Sequence, residues 1–189
     1  MDTVKQIVVK VIPSRIANDF IKKHHYSGKV VQNSQIHFGC FVNNVLHGVM
    51  SFGCSMSKKK VQHLVIDKNG KPALWNEWLE LNRMAFDDKL PRNSESRCIS
   101  IALKLIKKNA PHIRWIISFA DASHCGDGTI YRASNFKWTG ITRSKMIELP
   151  RKYWKYNGGG ELCKQNDTSS QVQYNVQDHT ERFRNARGI

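Results

Sequence analysis

Residues 118–140 read Ser118-Phe-Ala-Asp121-Ala-Ser-His124-Cys125-Gly126-Asp-Gly-Thr-Ile-Tyr131-Arg-Ala-Ser-Asn-Phe136-Lys-Trp-Thr-Gly140. A strongly apolar run from Ile113 to Ala120 ends on Asp121, and a short glycine-containing loop follows. After the loop comes a helical stretch carrying Tyr131, then Phe136 and Gly140. An apolar run of this length bounded by polar residues reads as a buried strand. A buried strand that empties into a loop and a helix start is where α/β proteins place their chemistry.

Upstream, Asn93 or Ser94 caps a helix whose apolar stripe is Ile99, Ala102, Leu103 and Ile106, at i, i+3, i+4 and i+7. Lys107-Lys108-Asn109-Ala110-Pro111 closes it, with cations favouring the dipole and proline as the stop. Trp78 to Phe86 reads as the strand before that helix. Gln35–Val42 and Val45–Cys54 form a hairpin across Asn43-Asn44, a pair that tolerates left-handed backbone. Lys5–Ile12 reads as a first strand. Pro13-Ser14 then opens a helix with the stripe Ile16, Ala17, Phe20 and Ile21, ending at Ser27-Gly28. Lys58-Lys59-Lys60 reads as a charge run on a loop, and Phe136–Leu149 as two last strands around Gly140. The order is therefore β-α-β-β-β-α-β-α-β-β. It predicts an α/β fold with a mixed, mainly antiparallel central sheet flanked by helices, and it resembles the order of GNAT acyltransferases. Residues 1–150 are expected to form the catalytic domain. Residues 151–189 are expected to be a basic extension, packed on that domain or tailing from it.

The chain has 189 residues, 40% of them apolar, which suits one globular domain with a real core. No apolar run approaches 18 residues and no signal-peptide pattern is present, so a protein that stays in the cytoplasm, with no membrane partner, is expected. The five cysteines, Cys40, Cys54, Cys98, Cys125 and Cys163, are odd in number and lack paired metal-ligand spacing, and so read as thiols. Thirty Lys and Arg against fifteen Asp and Glu give a net charge of +15, spread along the chain. Such an excess points to an anionic partner, with nucleic acid first; a basic solubilising surface is the plainer alternative.

Four constellations could carry chemistry, and each has a structural alternative. The helix start Asn93-Ser94-Glu95-Ser96-Arg97 could cradle a diphosphate with hydroxyl and backbone N–H groups, or simply be a capped amphipathic helix. Arg83, late in its strand, could be a strand-end surface charge or face the site. His25, in line with Ala17 and Ile21, points inward near a helix end as a hydrogen-bonded core residue or as a base; Tyr26 adds a phenol. Asp121 could bind loop N–H groups, or act with Tyr131, ten residues on, at the strand-end face. Finally, Lys58, Lys59, Lys60, Arg151, Lys152 and Lys155 could hold phosphates while Trp154 stacks on bases, unless these are solvated loops.

The loop around Asp121 and Tyr131, with Leu81-Asn82-Arg83 and Leu90-Pro91-Arg92-Asn93-Ser94-Glu95-Ser96, resembles the Mom family of phage DNA-modification proteins. The resemblance covers roughly residues 20–150. It implies a GNAT-like enzyme that converts adenine N6 in DNA to a carbamoylmethyl (methylcarbamoyl) derivative, protecting the phage genome from restriction in the bacterial host cytoplasm. It implies His25, Tyr26, Asp121 and Tyr131 as catalytic residues, and Arg83, Asn93, Ser94, Ser96 and Arg97 as the cofactor set. Acetyl-CoA or a related coenzyme A donor would be the cofactor. The partner would be double-stranded DNA with the target adenine flipped out, since N6 lies in a stacked pair. Monomer and homodimer both stay open. Because the family product joins N6 to a methylene carbon, whereas a thioester would give an amide, a redox metal such as iron at His25 and Asp121 enters as a further expectation. The family's loop carries a Gly-His pair slightly later, at Cys125-Gly126, so His124 takes no role. Two other functions fit the same residues: a GNAT acetyltransferase acting on a protein or RNA amine, and a non-catalytic basic DNA-binding protein.

Overall fold

A computed structural model describes residues 6–55, 58–67, 69–121, 128–143 and 171–178. Its elements run β1 (Val8–Val11), α1 (Ser14–His24), β2 (Ser34–Val42), β3 (Val45–Gly53), α2 (Lys58–Val61), β4 (Trp78–Phe86), α3 (Ser94–Asn109), β5 (Trp115–Asp121), α4 (Thr129–Ala133), β6 (Lys137–Arg143) and β7 (Gln171–Asp178). The seven strands form one sheet in the order β1-β2-β3-β4-β5-β7-β6. Every neighbouring pair is antiparallel except β4–β5, which is parallel and joined through α3. A parallel pair needs such a crossover, whereas hairpins suffice elsewhere. The sheet is mixed and mainly antiparallel, as expected.

The β2–β3 hairpin turns on Asn43 and Asn44, at φ 49° and 63°. Two successive left-handed residues make the turn whose twist matches the strands, and asparagine reaches that region at lower cost than other side chains. Alternation along the strands then sorts the core into two faces. Phe38, Cys40, Met50, Phe52, Leu79, Leu81 and Ile116 pack against Cys98, Ile99, Ala102, Leu103 and Ile106 of α3, and against Tyr131 and Phe136. The opposite face is covered in two places. Ile12, Ala17 and Ile21 cover Val49 and Ala85. Farther along, Val61, Val65 and Ala73, from the segment between β3 and β4, cover Trp78, Trp115 and Ile117. Each fully buried Ile or Leu contributes roughly 1.5–3 kcal/mol through the apolar area removed from water.

Several elements depart from the sequence reading. Helix α1 stops at His24, with His25 extended at φ −82° and ψ 135° and a turn closed by Gly28 N–H donating to His25 O at 2.8 Å. His25 thus leaves the apolar stripe one turn before the expected end. Lys58-Lys59-Lys60 opens a one-turn helix rather than lying on a loop. Of the two strands expected over Phe136–Leu149, β6 forms at Lys137–Arg143 and residues 144–149 lie outside the described residues; an unexpected strand, β7, is inserted between β5 and β6. The described cysteines Cys40, Cys54 and Cys98 are free thiols, and a hydrogen bond from Cys98 plus burial pushes the Cys40 thiol up. Among the described residues no helix is long and apolar enough to cross a membrane.

Candidate functional site

The β4–β5 pairing covers only Trp78–Leu81 and Trp115–Ser118. Beyond it, β4 continues to Phe86 and β5 to Asp121, the latter pairing with β7 instead. The register of β3 on β4 slips between Ser51 and Phe52, so that Asn82 is the extra residue of a bulge. A bulge twists its strand and redirects side chains. Here it lies where the two parallel strands part, and α3 and the Asp121 loop both start from the parted ends. The parting lies at the carboxyl ends of the two parallel strands, where α/β proteins bind ligands.

The bulge is fixed by close packing. A Cβ on Gly53 would lie 2.6 Å from Ser34 Cα and 2.8 Å from Asn82 Oδ1, and closer still to Asn33 O. Asn82 is buried, accepts from Ser34 Oγ at 3.1 Å, and donates to Cys54 O at 3.5 Å. Asn33 Nδ2 donates to the same carbonyl. The turn after α1, the segment after β3 and the bulge are therefore tied at one point.

On the face away from α3, between its two apolar covers, a polar strip crosses the sheet. His37, Ser51 and Arg83 are cross-strand neighbours. His37 Nδ1 lies 2.8 Å from Ser51 Oγ, and burial lowers the His37 pKa, favouring the neutral ring. Arg83 donates through Nε to Lys29 O at 3.1 Å and through Nη1 to Asn82 O at 2.8 Å. Its guanidinium thus clamps the turn that carries His25 and Tyr26. Within that turn His25 Nδ1 accepts from Ser27 N–H at 3.1 Å, with Ser27 Oγ at 2.8 Å, which places the neutral ring's proton on Nε2. The His25 and Tyr26 rings lie 4.3 Å apart, and Tyr26 is 54% exposed.

Sequence reading missed Glu80. It lies on this same face, next to the bulge, and desolvation raises its pKa against hydrogen bonds from Ser55 and Asn82 and the charge of Arg83. The signal available was a lone acid in a strand flanked by Leu79 and Leu81, an arrangement that is costly unless the acid is paired or used. A carboxyl whose folded pKa stands above its unfolded value makes the fold lose stability as pH rises through the interval between the two. The wild-type chain should lose stability in that way from about pH 4.3 upward. Glu80→Gln should lack the loss and equal or exceed wild type near neutrality. Urea unfolding across about pH 4 to 8 measures this, and identical pH profiles would show that Glu80 is not a buried acid.

The other expected site residues fall in two groups. Asn93 precedes α3 in the left-handed region, at φ 68° and ψ 10°, with no side chain capping the first turn. Asparagine there makes the turn that glycine makes most easily, so the absence of glycine from this loop does not prevent it. Ser94 is fully buried and its hydroxyl donates to Pro91 O at 2.5 Å, while that of Ser96 donates to Asn93 O at 3.1 Å. Both hydroxyls are engaged within the loop. What the helix start presents is backbone N–H groups with exposed Arg97 beside them. Arg83 is not gathered with this set, since it shares a face with Ala85 on the α1 side. Ser118, the last β5 residue paired with β4, is buried with its Oγ unpartnered among the described residues. Tyr131 is 7% exposed and meets Phe136 edge-on at 5.6 Å. Asp121 ends β5, but its side chain, the loop 122–127, Lys60's side chain and Arg151, Lys152, Trp154 and Lys155 lie outside the described residues. Lys58 is half-buried and Lys59 exposed.

The profile of the Mom protein family matches residues 6–187. The chain belongs to the Mom protein family. Within it, the chain is 37% identical over 151 residues to the methylcarbamoylase Mom of Escherichia phage Mu, covering 79% of this chain. The chain spans 60% of the length of that curated relative. Its fold is similar to that of a Bacillus subtilis acetyltransferase in complex with CoA, at TM-score 0.54, 11% identity and coverage of 92% and 97% of the two chains. It is also similar to a GNAT family acetyltransferase from Elizabethkingia anophelis with acetyl-CoA bound, at TM-score 0.52, 13% identity and coverage of 92% and 98%. At such identities the likeness establishes the GNAT fold for this Mom family chain.

Proposed function

We propose that this chain converts the N6 amine of adenine in DNA to a carbamoylmethyl derivative in the cytoplasm of a phage-infected bacterium, protecting phage DNA from restriction. The observation that carries the reading is its 37% identity to a methylcarbamoylase across most of its length. The polar strip of His37, Ser51 and Arg83 and the charge of +15 support it. Nucleosides from digested DNA of cells expressing the chain test it by mass spectrometry. A carbamoylmethyl adenine is expected, and unmodified adenine alone would overturn the proposal.

The reaction needs a flipped adenine, since N6 is otherwise stacked and paired. When N6 gains a carbon it must lose a proton. We assign that proton to Asp121, at the end of β5, or to Glu80, beside the bulge. His25, its Nδ1 accepting from Ser27 N–H, and Tyr26 supply an imidazole and a phenol in this reading. Arg83 positions His25 and Tyr26 through Lys29 O. Tyr131 supplies a phenol close to the loop after β5.

The α3 start fits the diphosphate of a coenzyme A donor through its uncapped backbone N–H groups, and Ser118 Oγ offers an unpartnered polar atom at the parting strands. Attack of N6 on the thioester of such a donor would give an amide and not the carbamoylmethyl product, so the α3 start is assigned only the binding of the diphosphate and no transfer step is routed through it. Acetyl-CoA at a hundredfold its Kd should stabilise the protein by about 2.7 kcal/mol. Ser96→Glu should remove that thermal shift, and an unshifted midpoint in wild type would remove the cofactor. For iron, His25 could ligate only through Nε2, and among the described residues no three His, Cys, Asp or Glu side chains converge. No step is routed through a metal.

Lys58, Lys59, Lys60, Arg151, Lys152 and Lys155 are the phosphate-binding cations of this reading, with Trp154 stacking on a base. Charge reversal of Lys152 and Lys155 should weaken binding to all DNA sequences alike. It should also make the dependence of log K on log salt shallower by about one for each phosphate no longer neutralised. An affinity flat between low and moderate salt would eliminate the electrostatic account.

A further inference from the structure

The segment between β3 and β4 ends in an apolar tip that its own fold leaves uncovered. Leu74 is 58% exposed and Trp75 67% exposed, side by side. Isolated exposed apolar residues are ordinary, but an adjacent Leu-Trp pair on a well-held turn is a contact surface. The turn is firmly built. Leu74 N–H donates to Glu77 Oε2 at 2.7 Å, and Glu77 N–H donates to Leu74 O at 3.0 Å. Arg114 N–H and Trp115 N–H both donate to Glu77 O, and the Arg114 guanidinium lies 3.7 Å from the Glu77 carboxylate. The base of the tip is thereby fixed to the start of β5, so little ordering entropy remains to be lost on binding.

A cation lies against the tip. Lys58 Nζ sits 5.4 Å from the Trp75 ring centroid, and exposed Lys59 and Lys71 belong to the same segment. This segment covers Trp78 and Trp115 on the sheet face opposite α3, the face that also carries Glu80, Arg83 and the His25–Tyr26 turn. A flat aromatic ring beside phosphate-binding charges is the chemistry that recognises an unstacked base on a nucleic-acid backbone. It also suits an enzyme that must compensate for the stacking lost when a base leaves the duplex.

We infer that Trp75, next to Leu74 and with Lys58 beside its ring, stacks on an unpaired base of the DNA substrate and holds the opened duplex against this face, where exposed Lys59 of the same segment meets the backbone. The inference rests on the reading of the chain as a DNA-modifying enzyme, and it is tested by binding alone.

Anisotropy titrations of wild type, Trp75→Ala, Trp75→Phe and Lys59→Ala use a short single strand, a fully paired duplex and the same duplex with one mismatch. Trp75→Ala should lose roughly 5- to 150-fold in affinity for the single strand and the mismatched duplex, less for the paired one, with its salt slope unchanged. Trp75→Phe should keep most of the affinity, and Lys59→Ala should instead reduce the salt slope by about one. Wild-type affinity of Trp75→Ala for all three probes would overturn the inference. So would a dimer that Trp75→Ala converts to monomer in sedimentation, since a second copy would then be the tip's occupant. The stacking loss without any modified adenine in cells would fault the proposed reaction and leave the DNA contact standing. Modified adenine with a neutral Trp75 would do the reverse.

Discussion

Adenine modification should fall at least about a hundredfold in Asp121→Asn, the lower end of what one positioned acid or base contributes. DNA affinity and thermal midpoint should stay at wild-type levels. The swap conserves volume and removes only the anionic oxygen. Were Asp121 merely a cap for the loop N–H groups after β5, asparagine would replace it at little cost, because both residues cap well. Tyr131→Phe is the companion test. The ring is buried against Phe136, so phenylalanine keeps the packing and removes only the phenol. Mass spectrometry of digested DNA from expressing cells scores both variants. Product near wild-type yield from both would take these residues out of the chemistry and leave Glu80 as the acid of the site.

Gly53→Ala should cost about 1–3 kcal/mol of stability, the usual result of forcing a methyl into a filled site. For a chain of this size that lowers Tm by roughly 2–4 °C per kcal/mol. Activity should drop by more than the lost stability explains, because the groups the methyl meets are those that build the bulge. Asn33 O and Ser34 Cα are backbone positions that cannot rotate aside, and Asn82 Oδ1 is engaged by Ser34. Calorimetry with a product assay below the transition separates the two effects. An unchanged Tm would mean that the bulge has room the packing does not suggest.

Most of the architecture was legible from periodicity and punctuation. The stripe from Ile99 to Ile106 made α3, the Asn43-Asn44 pair made the hairpin, and the run into Asp121 made β5. In these segments local pattern and tertiary packing agree, as they tend to in sequences that fold to one state. The last strand was not found, although Val172, Tyr174 and Val176 alternate with Gln171, Gln173, Asn175 and Gln177. That alternation is polar enough to read as solvated chain, and only the gap between β5 and β6 gives the strand its pairing. Apolar spacing carries through His25 and extends α1 a turn too far, whereas Gly28 N–H closes a turn on His25 O.

For the site, sequence alone supplied the residue types: the acid after the apolar run, the His-Tyr pair, the glycine-poor helix start and the basic charge. It also supplied the family, because the motifs around residues 81–96 and 118–140 are specific. Tertiary structure decided what those residues face. The bulge at Asn82 shifts β4 by one residue, so Arg83 lies on the α1 face with Ser51 and His37, whereas a regular strand would put it on the α3 face with Leu79 and Leu81. A one-residue slip exchanges the two faces of a strand, and no local pattern in Leu81-Asn82-Arg83 announces it. The left-handed conformation of Asn93 and the burial of Ser94 at the start of α3 likewise emerge only in the folded chain. Residue types are legible in the sequence itself, whereas the face that each β4 side chain takes is set by the register of the strand.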